Sequence, residues 1–212
     1  STPEGRAAAV AGIRERAGDG LDGFIPCAGV PPVARPLALI PAVNYFGVVE
    51  TVAGVRDLVA QRRGTVLLVA SNSAPMVPLD DPYVSACLAG DEVAAKAALE
   101  GRDGQTGYGG SKRAITAWMR RHVVEYARAG VRLNAVAPGI TLTPLSEQVM
   151  SDDELGPAIK QFGELVPWGG TARPEQIASV MRFLLSPDAD FVCGSVLFVD
   201  GGSDAMLRPD AV

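Results

Sequence analysis

The sequence predicts an α/β fold built on a doubly wound parallel sheet, and three observations predict it. Short runs at 21–28, 65–70, 131–137 and 195–200 are apolar almost without interruption, as strands covered on both faces are. Long stretches of helical periodicity separate these runs, which gives each the crossover a parallel neighbour needs. Each run closes on turn-forming or small residues: Gly29, Ser71 to Ser73, Pro138-Gly139 and Gly201-Gly202.

The elements follow in order. Ser1-Thr2-Pro3-Glu4 reads as a helix start with a hydroxyl cap and Pro in the first turn, and the alanine-rich helix runs to about Ala17. Gly18-Asp19-Gly20 breaks it. Residues 21–28 form the first buried strand. Residues 30–41 hold four prolines and form a loop. Phe46, Val49, Val52, Val55 and Leu58 give 43–61 a helical apolar stripe. Strand two is 65–70. Residues 74–107 are mixed, with one helix at 91–100 and a Gly-rich turn at 101–107. A long helix spans 108–129, and strand three is 131–137. Residues 140–172 form an irregular, partly helical lid. A helix at 174–186 and strand four at 195–200 complete the pattern, and the tail, 203–212, is apolar enough to dock. There is no internal repeat or linker, so the expectation is one domain over 1–212.

Composition narrows the function classes. The chain has 212 residues, 48% hydrophobic and 20% charged, within the range of globular domains. A net charge of −5 argues against nucleic-acid and anionic-membrane partners. No apolar run reaches the roughly 20 residues that span a bilayer, and the N-terminal residues lack a basic region followed by an apolar run. Cys27, Cys87 and Cys193 have no metal-ligand spacing and read as reduced, partly buried thiols of a cytoplasmic protein. No metal site is expected. His122 is the only histidine and reads as a surface residue, which leaves no histidine-based triad as an obvious choice.

The chemistry-bearing residues fall at strand ends or on the helices after them, where open α/β sheets bind ligands. Tyr108-Gly-Gly-Ser-Lys112 puts a phenol and an ammonium on one helix face. A lysine held there is expected to draw the tyrosine pKa below its free value of about 10. Asn44 follows the first strand, and reads either as part of the site or as a plain surface residue. Ser71 closes the second strand, with Ser73 as the rival for its role. Leu145, Val149, Met150 and Trp168 either line an apolar substrate pocket or pack a lid.

This ordered set resembles the short-chain dehydrogenase/reductase family. Cys27-Ala28-Gly29 is similar to its Asn-Ala-Gly signature with the first residue changed. Val43-Asn44-Tyr45-Phe46-Gly47 is similar to its helix asparagine motif, Val69-Ala70-Ser71 to its serine strand, and Tyr108 to Lys112 to its Tyr-x-x-x-Lys motif. Asn134 to Gly139, Thr143-Pro144 and Val199-Asp200-Gly201-Gly202 match in turn. The long stretch from Ser71 to Tyr108 resembles a subgroup with a helical insertion that acts on steroids and aryl alcohols. The resemblance implies a Rossmann-like fold and an oxidoreductase that uses NAD or NADP on an apolar alcohol or carbonyl substrate. It implies Tyr108 as acid/base, Ser71 as hydrogen-bond donor to the substrate oxygen, and Lys112 as partner of Tyr108 and of the nicotinamide ribose. Asn44 would hold a water linked to Lys112. Cofactor contacts would come from Cys27, Ala28, Gly29, Tyr108, Lys112, Pro138, Gly139, Ile140 and Thr143. The 108–129 and 174–186 helices would form faces of a homodimer or homotetramer.

The sequence departs from the family in one respect. No Gly-x-x-x-Gly-x-Gly turn is present, and by the resemblance the chain starts at the helix after the family's third strand. The sheet's N-terminal strands would then be missing from this chain, and strand 21–28 would become an edge. Two expectations follow: a piece of a longer enzyme, or a truncated, non-catalytic scaffold with little cofactor binding.

Overall fold

A computed structural model of the chain describes residues 1–211. The order of elements is α1 (Pro3–Ala17), β1 (Gly23–Phe24), α2 (Gly47–Gln61), β2 (Thr65–Val69), α3 (Pro82–Ala89), α4 (Glu92–Ala97), α5 (Gly104–Arg128), β3 (Arg132–Pro138), α6 (Pro144–Met150), α7 (Gly156–Glu164), α8 (Pro174–Leu185), β4 (Val196–Val199) and α9 (Ser203–Leu207). The four strands form one parallel sheet in the order β1-β2-β3-β4. Each neighbour pair is consecutive in sequence, and helices cross on both faces as the apolar runs predict.

The two faces are covered unequally. Val52, Val55 and Val59 of α2 and Ala114, Ile115 and Met119 of α5 bury one face together with Val66, Leu68, Leu133 and Ala135 of the strands. On the other face Leu67 and Val136 pack against Leu184, Val180 and Met181 of α8. Asn134 clamps the two edges of this layer: its Nδ2 donates to the Val192 carbonyl at 2.8 Å and its Oδ1 accepts from the Ser195 N–H at 3.0 Å.

Several sequence expectations change. The strand expected at 21–28 shortens to Gly23–Phe24, paired with Thr65 and Val66, and Cys27, Ala28 and Gly29 are exposed rather than buried. It is an edge with a partner on one side only, and Pro26 has no N–H to continue the ladder. Cys193 is also exposed, and only Cys87 is buried; all three thiols are free. The helix expected at 91–100 is α4, capped by Asp91, and a helix that was not expected, α3, precedes it and ends at Gly90 in a left-handed conformation (φ 76°). The turn expected at 101–107 is largely helix. Asp103 caps α5 by accepting from the Thr106 N–H at 2.7 Å, so Tyr108 sits in the second turn and not at the start. The 140–172 segment contains α6 and α7. His122 is part-buried, stacked on Trp118 with ring centroids 4.4 Å apart, and its Nδ1 faces the Trp118 carbonyl at 2.8 Å. In the tail, α9 leaves Met206 and Leu207 largely exposed, and Val212 lies outside the described residues.

The inserted helices are fastened to the rest by charge and close packing. Arg6 of α1, only 5% exposed, pairs with Glu50 of α2 at 2.7 Å and Glu92 of α4 at 2.6 Å. Arg102 holds Asp81, the cap of α3, at 2.8 Å. The ring of Tyr83 in α3 lies against Gly110 of α5, where an added Cβ would fall 2.7 Å from it.

Candidate active site

One cavity of about 370 Å³ opens at the C-terminal ends of β2 and β3. Its polar side holds Ser71, Ser73, Gln105 and Tyr108; its apolar side is Leu145 and Val149 of α6, Ile159 of α7 and Ile177 and Met181 of α8. Cys27, Pro138, Gly139, Ile140 and Thr143 also line it. Seven of the catalytic and cofactor-binding residues expected from the sequence therefore line this one cavity. Leu145 and Val149 face the cavity as a substrate-pocket reading requires, whereas Met150 does not line it and Trp168 is exposed to solvent.

Of the remaining expected residues, Ala28 and Gly29 are exposed beside the cavity, and Lys112 and Asn44 stand behind its wall. Lys112 is 6% exposed and its Nζ donates to the Val69 carbonyl at 2.8 Å. The ladder between β1 and β2 ends at Phe24 and Val66, three residues short of Val69, and the ammonium takes that carbonyl instead. Asn44 is fully buried and not a surface residue. It lies in a π-helical turn, Pro41–Phe46, that leads into α2. Its Oδ1 accepts from the Val30 N–H at 2.8 Å and its Nδ2 donates to the Val30 carbonyl at 3.0 Å. Asn44 thus fixes the segment after β1, including Ala28 and Gly29, and its side-chain amide is committed there. Thr143 caps α6, its Oγ1 accepting from the Ser146 N–H at 3.3 Å.

The electrostatics differ from the sequence expectation. Burial raises the Tyr108 pKa above its ordinary value, opposed by a hydrogen bond with Ser71; Lys112 does not lower it here. The reason is geometric: the Lys112 ammonium sits over the ring face, 5.6 Å from its centroid, and is bonded to Val69. Lys112 itself is pushed down to about 8 by desolvation. Desolvation acts on both groups in the direction that favours the neutral form. The site is therefore a phenol and a serine hydroxyl facing an apolar cavity, with a lysine of lowered pKa beneath.

The fit to a nicotinamide cofactor rests on the donors and the open backbone. Exposed Cys27, Ala28 and Gly29 offer backbone beside the cavity and Pro138 to Ile140 line it, with the Tyr108 phenol on its wall and the Lys112 ammonium buried behind. These suit the nicotinamide–ribose half of a dinucleotide. Among the described residues no cluster of His, Cys, Asp or Glu is arranged to hold a metal ion, and no helix is long and apolar enough to cross a membrane.

Sequence reasoning passed over Gln105 and gave Ser73 only as a rival to Ser71. Gln105 lies one turn before Tyr108, so i, i+3 spacing along α5 was the signal for it once Asp103 was recognised as the cap.

Comparison with known proteins agrees with this fold. The profile of the family described as enoyl-(acyl carrier protein) reductase matches residues 92–204. The chain is 38% identical over 99% of its length to 3-alpha-hydroxysteroid dehydrogenase/carbonyl reductase of Comamonas testosteroni, covering 82% of that protein. It is 29% identical over 87% of its length to levodione reductase of Leifsonia aquatica, covering 65% of it. The crystal structure of 3-alpha-hydroxysteroid dehydrogenase from Pseudomonas sp. B-0831 complexed with NADH superposes over the whole chain with a TM-score of 0.95 at 41% identity; 84% of that chain is covered.

Proposed function

The chain belongs to the short-chain dehydrogenase/reductase family of NAD(P)-dependent oxidoreductases, and we propose that it interconverts the alcohol and carbonyl of an apolar substrate such as a steroid or an aryl alcohol or ketone. The observation that carries this reading is the meeting of Tyr108 and Ser71 on the wall of an apolar cavity. The names of the two hydroxysteroid dehydrogenase relatives support a ring-system substrate for it.

A nicotinamide bound in this site would supply or take up the hydride. Cys27, Ala28, Gly29, Tyr108 and Lys112 would hold it on one side, and Pro138, Gly139, Ile140 and Thr143 on the other. In reduction Tyr108 gives its phenolic proton to the substrate oxygen, and in oxidation it takes that proton back. Ser71 donates a hydrogen bond to the same oxygen as charge develops there. Asn44 keeps the 28–30 segment in place beside them, and the apolar residues of α6, α7 and α8 exclude water. The reaction takes place in the cytoplasm on a small-molecule substrate.

The test follows the absorbance of reduced nicotinamide with steroid and aryl ketones, using NADH and NADPH in turn. Tyr108→Phe is expected to lower kcat by about 10²–10⁴-fold, with circular dichroism unchanged. Full activity in that variant would overturn the assignment.

A further inference from the structure

Ser71 is not alone at the end of β2. Its Oγ lies 3.0 Å from the Ser73 Oγ, which donates to it, and 3.2 Å from the Ser73 backbone N–H, which also donates to it. Both serines are 7% exposed and both line the cavity. A hydroxyl has two acceptor positions and one proton to give. With both acceptor positions of Ser71 filled by Ser73, its own O–H is left to point at Tyr108, whose pKa that bond lowers, on the cavity wall where the substrate oxygen would meet it.

We propose that Ser73 is a positioning residue: it fixes the polarity of the Ser71 hydroxyl, so that Ser71 meets the substrate oxygen as a donor. This rests on the role given to Ser71 above. The substrate oxygen is an acceptor in the carbonyl form and gains negative charge as reduction proceeds, so a Ser71 lone pair turned toward it would repel it. A donor set before the substrate arrives costs no reorientation during the reaction.

The local chain explains why Ser73 can do this. The Ala74 N–H bonds the Ser71 carbonyl and the Met76 N–H bonds the Ser73 carbonyl, and this tight turn folds residue 73 back over residue 71. Pro75 then opens a single 3₁₀ turn, Ala74–Met76. On the far side Gly109 makes room: a Cβ there would come within 3.2 Å of the Ser73 carbonyl oxygen and 3.8 Å of its Oγ. Gly109 directly follows Tyr108, so the serine pair and the tyrosine form one packed cluster. The two candidate serines of the sequence are then partners in series and not rivals.

The test is a mutant cycle read as kcat and KM with unfolding temperature as a control. Ser73→Ala is expected to lower kcat about 3–10-fold, the worth of one neutral hydrogen bond, with KM nearly unchanged. Ser73→Thr restores the hydroxyl and is expected to restore kcat. Ser73→Cys keeps the volume with a weak donor and is expected to repeat the loss, which carries the test should the alanine variant misfold. Because Ser73 acts through Ser71, Ser71→Ala/Ser73→Ala should be no slower than Ser71→Ala alone. Independent, multiplicative losses in the double variant, or full kcat in Ser73→Ala and Ser73→Cys, would overturn the proposal. Full activity in Ser71→Ala and Tyr108→Phe would instead overturn the site itself, so the two failures are distinguishable.

Discussion

Desolvation pushes the Lys112 pKa down from 10.5 to about 8, and this makes the residue expensive for the fold. A folded value below the unfolded one means that the folded chain binds fewer protons between pH 8 and 10.5. The cost is therefore fully present below pH 8 and fades as pH rises to 10.5. A shift of that size corresponds to roughly 3 kcal/mol, offset in part by the hydrogen bond to Val69. Lys112→Met is expected to stabilise the protein by about 1–3 kcal/mol at pH 7 while abolishing turnover. The gain should disappear by about pH 10.5. Urea titrations of both proteins at pH 7 and pH 10.5 check this, and a difference that does not vary with pH would count against it. A lysine retained at such a cost is what a functional role predicts. The sequence made Tyr108 and Lys112 visible through their spacing alone. It did not reveal that the ammonium would be drawn to Val69, because that depends on where the β1 ladder ends.

At the scale of elements, α5 is the part on which the site depends. It carries Gln105, Tyr108 and Lys112 on one side, and Gly109 and Gly110 receive the turn after β2 and the Tyr83 ring of α3 on others. Tyr83 is wholly buried, so its ring has nowhere to retreat. Gly110→Ala therefore overpacks this contact, at a cost of about 1–3 kcal/mol, against a helix-propensity gain of about 1 kcal/mol. A net fall in melting temperature is expected, with partial recovery in Gly110→Ala/Tyr83→Leu. A rise in melting temperature in the single variant would contradict the packing account. The sequence placed Gly109 and Gly110 inside the 108–129 helix, where they are found, without a reason for them. Their reason is the close approach of the turn after β2 and of α3, which no local pattern in the sequence encodes.

The whole molecule leaves several large apolar side chains exposed near its C-terminal strand and the helices beside it. Phe191 is fully exposed, and Phe183 of α8, Leu197 of β4 and Val124 of α5 are partly so. Phe183 and Val124 lie on the 174–186 and 108–129 helices, to which the sequence assigned oligomer faces, and a second copy of the chain is the expected cover. Light scattering should give a dimer or tetramer, and Phe191→Asp with Phe183→Asp should shift it toward smaller species. An interface of standard size buries about 800 Å² on each partner. A monomer at micromolar concentration in the unsubstituted protein would refute the expectation.

The sequence by itself determined the four strands, their parallel sheet and the long helices between them, and it singled out Asn44, Ser71, Tyr108 and Lys112 as the candidates. These follow from apolar periodicity and from motifs of fixed spacing, which are local properties of a chain. Only the tertiary structure decided that β1 is two residues long, that Asn44 spends its amide on Val30, and that Ser73 backs Ser71. It also decided that Lys112 and Tyr108 are both shifted toward their neutral forms. Each of these depends on which groups are left without a strand partner, a hydrogen bond or water once distant segments have packed, and sequence spacing carries no record of that.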